Sequence, residues 1–260
     1  MEIHVLASGS TGNATYIRMG DTRLLVDAGI SARRIKLGLA EVGVAPENLD
    51  GIFITHEHRD HVAGLVTLLK KYRLPLYTRP ATWESMYCRD QLPAECFRPL
   101  ELSLEIGSVI AEAFSISHDA ADPVGFSFCR RDMKCCVATD MGFITESVKK
   151  ALAHSDVLVL ESNHDVDMLN NGEYPWYLKK RILSNRGHLA NTDTGWMLAR
   201  LPKKQRTEVF LAHLSKENNR PELARATVQN ILNEHDCRQA ASITLHLTHP
   251  DRRAGWIRES

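Results

Sequence analysis

The chain alternates short apolar runs with amphipathic segments. Runs rich in Val, Ile, Phe and Thr, most of them closed by turn residues, predict strands at 3–8, 23–29, 51–56, 74–79, 109–118, 124–131, 134–140, 156–162, 208–215 and 242–248. Apolar residues at three- and four-residue spacing predict helices over 30–43, 62–73, 147–155, 175–185, 192–201 and 221–235. Thr192 and Asp193 are candidate caps for one of these helices, and Pro221 suits the first turn of another. Strands occur in adjacent pairs as well as alternating with helices, and VGFSFCRRDMKCCVATD reads as a hairpin turning at Arg131 and Asp132. The expected class is therefore α/β (α+β) with mixed sheets, and two sheets sandwiched between helices satisfy the pattern. No linker, repeat or low-complexity segment interrupts the series, so a single domain over 1–260 is expected.

Composition narrows the setting. A hydrophobic fraction of 43% and a charged fraction of 25% are those of a water-soluble globular chain. No apolar run reaches the ~18 residues of a membrane span, and MEIHVLASGSTGN lacks the basic start of a signal peptide; no membrane partner and a cytoplasmic location are expected. Cys88, Cys96, Cys129, Cys135, Cys136 and Cys237 show no C-x-x-C pair and read as reduced thiols. A formal net charge of +0 argues against indiscriminate polyanion binding but permits local basic patches.

The chemistry concentrates where apolar strands end. GIFIT runs into His56, FSIS into His118, CCVAT into Asp140, VLVL into Glu161 and VFLA into His213. Strand ends are rigid, which suits side chains that must hold fixed mutual distances. FITHEHRDHVAGL places His56, His58, Asp60 and His61 within six positions, a density that separates them from His4, His154, His235, His246 and His249, which read as solvated polar residues. Imidazole and carboxylate donors suit zinc, manganese or iron, and His56, His58, Asp60, His61, His118, Asp140 and His213 supply the number that two metals require.

THEHRDH resembles the His-x-His-x-Asp-His signature of the metallo-β-lactamase superfamily, with VDAG at 26–29, His118, Asp140 and His213 falling in the order of its other landmarks. The resemblance implies a four-layer αββα sandwich. It also implies two divalent ions (Zn2+ or Mn2+), the first on His56, His58 and His118, the second on Asp60, His61 and His213, with Asp140 bridging. Asp27 is expected to accept a hydrogen bond from a ligating imidazole.

The superfamily hosts several chemistries, so local motifs must select the substrate. Phosphodiester cleavage requires donors for phosphoryl oxygens and a proton for the leaving oxygen. SGSTGN offers Ser8, Ser10 and Asn13, the loop after His213 offers Ser215 and Asn218, and Glu161 with His188 forms a candidate proton-delivering pair. Asp60 is a candidate for orienting the attacking water, and His164 is either a cleft residue, an alternative ligand or a polar loop residue.

SGSTGN, THEHRDH, ESNHD, YPWYLKKRI, GHLAN and LAHLSKENN, occurring together and in order, resemble the compact bacterial YycJ or WalJ family. That resemblance implies a metal-dependent 5′ to 3′ DNA exonuclease acting in repair, with nucleic acid as partner and DNA preferred to RNA. The alternatives are a carbonyl-ester or thioester hydrolase of the glyoxalase or lactonase type, a ribonuclease, or a nucleic-acid-binding adaptor. Basic clusters at Arg33, Arg34 and Lys36, at Lys70, Lys71 and Arg73, and at Lys179, Lys180 and Arg181 fit a strand path or a solvated surface. Trp176 and Tyr177 beside the third offer either stacking surfaces or buried aromatics.

Overall fold

The computed structural model describes residues 1–235 and 241–258; Cys237 lies outside them. These residues form two compact units, the first made of 1–113, 120–124 and 249 onward, the second of 114–119 and 125–248.

Unit 1 is built on strands β1 (Glu2–Ala7), β2 (Ala14–Met19), β3 (Thr22–Val26), β4 (Gly51–Phe53), β5 (Leu76–Thr78), β6 (Phe97–Pro99) and β14 (Ala254–Ile257), in the order β14-β1-β2-β3-β4-β5-β6. The first four of these in space pair antiparallel, whereas β3-β4-β5-β6 are parallel. Helices α1 (Ala32–Ala40), α2 (Arg59–Val62), α3 (Leu65–Tyr72) and α4 (Pro80–Ser85) accompany the sheet. Ser31 caps α1, its Oγ accepting from Arg34 N–H, and Ile35 and Leu39 form its buried stripe. They join Leu25, Ile52, Ile54, Leu65, Leu68 and Leu69 in one apolar core. A hairpin of β7 (Ser103–Ile106) and β8 (Val109–Ser115) also begins in this unit.

Unit 2 carries β9 (Val124–Arg130), β10 (Met133–Ala138), β11 (Val157–Glu161), β12 (Thr207–Ala212) and β13 (Ile243–Leu247). The β9–β10 hairpin turns at Arg131 and Asp132 as expected, with Arg131 at φ 55°. From β10 to β13 the strands run parallel, so their C-terminal ends share one edge. Helices α5 (Glu146–Leu152), α6 (Val166–Asn171), α7 (Trp176–Ile182), α8 (Asn191–Arg200) and α9 (Pro221–His235) complete it. Val148, Leu198, Val228 and Leu232 from these helices meet Leu158, Leu160, Val209 and Leu211 in a second core.

Several local expectations change. Ala190, not Thr192, is the N-cap of α8; Asp193 acts from the third helical position, its Oδ2 accepting from Ala190 N–H at 3.3 Å. His4 is buried rather than solvated, held between Glu2 at 2.6 Å and Arg253 at 2.6 Å. Lys179 is buried too, its Nζ donating to the carbonyls of Asn170 and Gly172. The described cysteines are free thiols, as expected. Among the described residues no helix is long and apolar enough to cross a membrane.

Candidate active site

In unit 1 the parallel pairing of β3 and β4 sets Val26 opposite Phe53, so the residues that follow both strands emerge side by side. Asp27, immediately after β3, adopts φ 60°. That left-handed conformation is uncommon outside glycine, although Asp tolerates it better than most residues. Its carboxylate accepts from Thr55 N–H at 3.0 Å and lies 2.8 Å from His61 Nδ1. Thr55 Oγ1 is 3.0 Å from Asp27 Oδ1 and 3.0 Å from His56 Nδ1. A carboxylate only accepts, so Thr55 donates to Asp27 while accepting from His56. One acid thus orients His61 directly and His56 through a hydroxyl, and turns the Nε2 atoms of both rings toward a prospective cation.

The rings of His56 and His58 lie 4.6 Å apart and those of His56 and His61 4.1 Å apart. His58 is the N-cap residue of α2, and Asp60 and His61 lie in that helix's first turn. Gly29 permits the close approach that fixes this turn: a Cβ there would lie 1.5 Å from the Asp60 carbonyl oxygen. The SGSTGN loop serves the same cluster. Asn13 Oδ1 accepts from Gly9 N–H at 3.0 Å and from Ser8 Oγ at 3.3 Å, and Asn13 Nδ2 lies 3.2 Å from His61 Nε2. Ser8 and Asn13 are buried braces, and Ser10 and Thr11 carry the exposed hydroxyls of that loop.

In unit 2 the parallel register places Ala138 opposite Leu160 and Glu161 opposite Ala212. Asp140, Glu161 and His213 therefore arrive at one sheet edge, where parallel α/β sheets usually place their functional groups. Asp140 at φ 62° and His213 at φ 54° share the left-handed conformation of Asp27. Each such turn costs roughly 1–3 kcal/mol, which the surrounding hydrogen bonds offset.

Glu161 is fully buried. Its Oε1 lies 2.8 Å from His188 Nδ1 and 2.9 Å from His213 Nδ1, while Oε2 accepts from Met141 N–H and Leu189 N–H. Burial pushes this carboxyl upward, but the His188 charge and the hydrogen bonds from both imidazoles outweigh it and draw the pKa down to about 2. Glu161 is thus ionised at neutral pH and fixes the tautomers of two histidines. Asp140 Oδ1 is 3.4 Å from His213 Nδ1 and 3.8 Å from His118 Nε2. His118 Nδ1 is directed at the Gly187 carbonyl at 3.2 Å, and burial lowers the pKa of this ring against the raising effect of Asp140.

A network of amides holds the His213 loop. Asn163 Nδ2 donates to the His213 carbonyl at 2.8 Å, and Asn219 Nδ2 donates to the carbonyls of Ser162 and Asn163 and to Asn191 Oδ1. Ser215, half-buried, accepts from Asn218 N–H, and Asn218 is itself buried. His164 is 1% exposed and neither ring nitrogen has a hydrogen-bond partner among the described residues; burial drives its pKa down to about 4.

The donor chemistry fits a divalent cation. Asp140, Glu161, His188 and His213 each offer a ligand atom within 4.8 Å of the others, and imidazole and carboxylate suit such ions. The expected ligands divide between the units, with His56, His58, Asp60 and His61 in the first and His118, Asp140 and His213 in the second. Sequence reading had not singled out Thr55, Asn163 or Asn191. Thr55 was accessible to it, because a hydroxyl between Ile54 and His56 interrupts an apolar strand end.

Known proteins are similar to this chain along almost its whole length. The chain is 37% identical over 254 residues to exodeoxyribonuclease YycJ of Bacillus anthracis, covering 96% of each, and 38% identical over 253 residues to exodeoxyribonuclease WalJ of Streptococcus pneumoniae, covering 95% of this chain and 94% of that one. The metallo-β-lactamase fold protein YhfI of Bacillus subtilis superposes with a TM-score of 0.74 at 15% identity, covering 98% of this chain and 99% of that one, so the fold is that of the metallo-β-lactamases. The family pattern described as Beta-lactamase superfamily domain matches residues 22–213, a stretch that opens in β3 and ends on His213, and the chain belongs to that superfamily.

Proposed function

We propose that this protein is a metal-dependent nuclease that hydrolyses phosphodiester bonds in DNA, acting as a 5′ to 3′ exonuclease in repair and working in the cytoplasm. The observation that carries the reading is the near full-length likeness to two exodeoxyribonucleases. In this reading two divalent ions, zinc or manganese, would be held by His56, His58, Asp60 and His61 of the first unit and by His118, Asp140 and His213 of the second. Such ions supply Lewis acidity, bringing the pKa of water toward neutrality and offsetting charge on phosphoryl oxygens.

The chain's own groups do the rest. Asp60 accepts a hydrogen bond from the attacking water and orients it in line with the leaving oxygen. Glu161 holds His188 through Nδ1, so His188 Nε2 is the atom that hands a proton to the departing oxygen. His188 suits that task because its ring is one-fifth exposed whereas Glu161 is enclosed. Ser10 and Ser215 supply hydroxyl donors to phosphoryl oxygens, while Ser8, Asn13 and Asn218 shape the two loops that present them. Asp27 positions His61 and His56.

The test is incubation of purified, metal-replete protein with 5′-phosphorylated duplex DNA, single-stranded DNA, RNA and a thioester, beside the double variant Asp60→Ala, His61→Ala. Metal-dependent release of nucleotides from the 5′ end of DNA, lost in the variant, is expected. Thioester cleavage with inert nucleic acids would overturn the reading.

A further inference from the structure

The segment YPWYLKKRI has no task in the chemistry above, yet it carries the most exposed aromatic pair among the described residues of unit 2. Trp176 is 71% exposed and Tyr177 75%, so neither is the buried aromatic that sequence alone allowed. Large aromatics left this bare usually mark a binding surface.

Helix α7 sorts its residues by face. Leu178, Lys179 and Ile182 turn inward and are partly or fully buried, whereas Trp176, Tyr177, Lys180 and Arg181 are exposed. Four-residue spacing stacks Lys180 above Trp176 and Arg181 above Tyr177, giving two adjacent columns of an aromatic with a cation one turn further on. From Tyr174 to Thr192 the sequence contains no acidic residue, and Arg186 adds a third exposed cation.

The helix is tied at several points to its neighbours, and its C-terminal end meets the segment that carries His188. Lys179 Nζ anchors its inner face at 2.8 Å and 2.7 Å from the carbonyls of Asn170 and Gly172. Its last residue, Ile182, accepts from His188 N–H at 3.0 Å, and Gly187 packs so closely that a Cβ there would be 2.0 Å from the Ile182 oxygen. Arg181 Nε donates to Asp119 at 2.6 Å, next to His118. The aromatic end thus stands one short helix away from His188, about 9 Å along the axis at 1.5 Å per residue. That is the axial span of two to three nucleotides stacked at the ~3.4 Å duplex rise, and of fewer in an extended strand.

We infer that Trp176 and Tyr177 form a stacking platform for the bases of a single-stranded nucleic acid, a few nucleotides from the phosphate being cleaved, with Lys180, Arg181 and Arg186 beside its backbone. The inference rests on the nuclease reading and adds to it the part of the strand that is gripped. Aromatic faces accept any base, so the platform confers length preference and no sequence preference.

The experiment compares the wild type with Trp176→Ala, Tyr177→Ala and with Trp176→Phe, Tyr177→Phe on oligothymidylates of two to twelve nucleotides. Cleavage kinetics and binding by fluorescence anisotropy are both measured. The wild-type KM should fall as the strand lengthens past about four nucleotides; the alanine pair should lose that fall, with KM and Kd for the long strand raised about tenfold per lost base, while the phenylalanine pair retains most of it. Equal length dependence in wild type and alanine pair would overturn the platform while leaving the nuclease reading intact. Binding without cleavage would instead count against the nuclease reading and leave the platform testable through Kd. Sedimentation that shows the alanine pair dissociating a dimer would assign the aromatics to a second copy of the chain and overturn the inference.

Discussion

His213 Nδ1 lies 2.9 Å from Glu161 Oε1, so a fully buried carboxylate dictates which nitrogen of that histidine faces the site. The same oxygen serves His188, and Oε2 accepts from Met141 N–H and Leu189 N–H, so four hydrogen bonds converge on Glu161. Replacing Glu161 by Gln keeps the volume but presents an amide N–H to groups that also donate. We expect kcat/KM on DNA to fall by about 10² or more, since both proton delivery and imidazole orientation suffer. Steady-state kinetics with parallel metal analysis check this, and a fall below fivefold at full metal content would count against the assignment.

Asp27 performs the matching task for His61 and, through Thr55, for His56. Asn tolerates the left-handed backbone at φ 60°, so Asp27→Asn removes the charge without disturbing the turn. Metal affinity should weaken by 10–100-fold, the usual effect of losing such a partner, as measured by competition with a chromogenic chelator. Thr55→Val should show a smaller loss, because it breaks only the indirect link.

Gly29→Ala tests the close approach that seats the THEHRDH turn. The new methyl would stand 1.5 Å from the Asp60 carbonyl and 2.7 Å from Asn13 N, both of them backbone. Backbone cannot rotate aside as a side-chain tip can, so overpacking should cost at least ~3 kcal/mol. Urea unfolding provides the measurement, and a variant within 1 kcal/mol of wild type would mean that the turn shifts freely.

His164 makes stability fall on acidification. Its pKa is about 4 when folded and near 6.5 when unfolded, so between those values only the unfolded chain takes up the proton. The stability it contributes is whole above about pH 6.5 and is lost progressively as pH falls toward 4, about 3 kcal/mol in all. Unfolding curves at pH 7.5, 6, 5 and 4.5 should therefore be flatter with pH for His164→Gln than for wild type. Parallel pH profiles of the two proteins would sink this account.

The strand ends were legible because an apolar run that stops on an acid or a histidine is a local event. GIFIT, CCVAT, VLVL and VFLA each precede a residue that the fold brings to a sheet edge. Edge strands such as β7 and β14 escaped because alternate positions face water and little apolar content remains in them. The central strand β2, wedged between β1 and β3, was missed as well: ATYIRM is largely buried although its composition is half polar.

Sequence alone determined which residue types stand at the strand ends, and with them the His-x-His-x-Asp-His cluster and the mixed α/β class, because residue type and short-range periodicity are written along the chain. Only the tertiary structure decided that Asp27 governs His61 and, through Thr55, His56, that Glu161 governs His188 and His213, and that Trp176 and Tyr177 stand in water. Those facts depend on parallel strands distant in sequence aligning in register, on left-handed turns at Asp27, Asp140 and His213 that swing the side chains into place, and on which face of α7 packs inward.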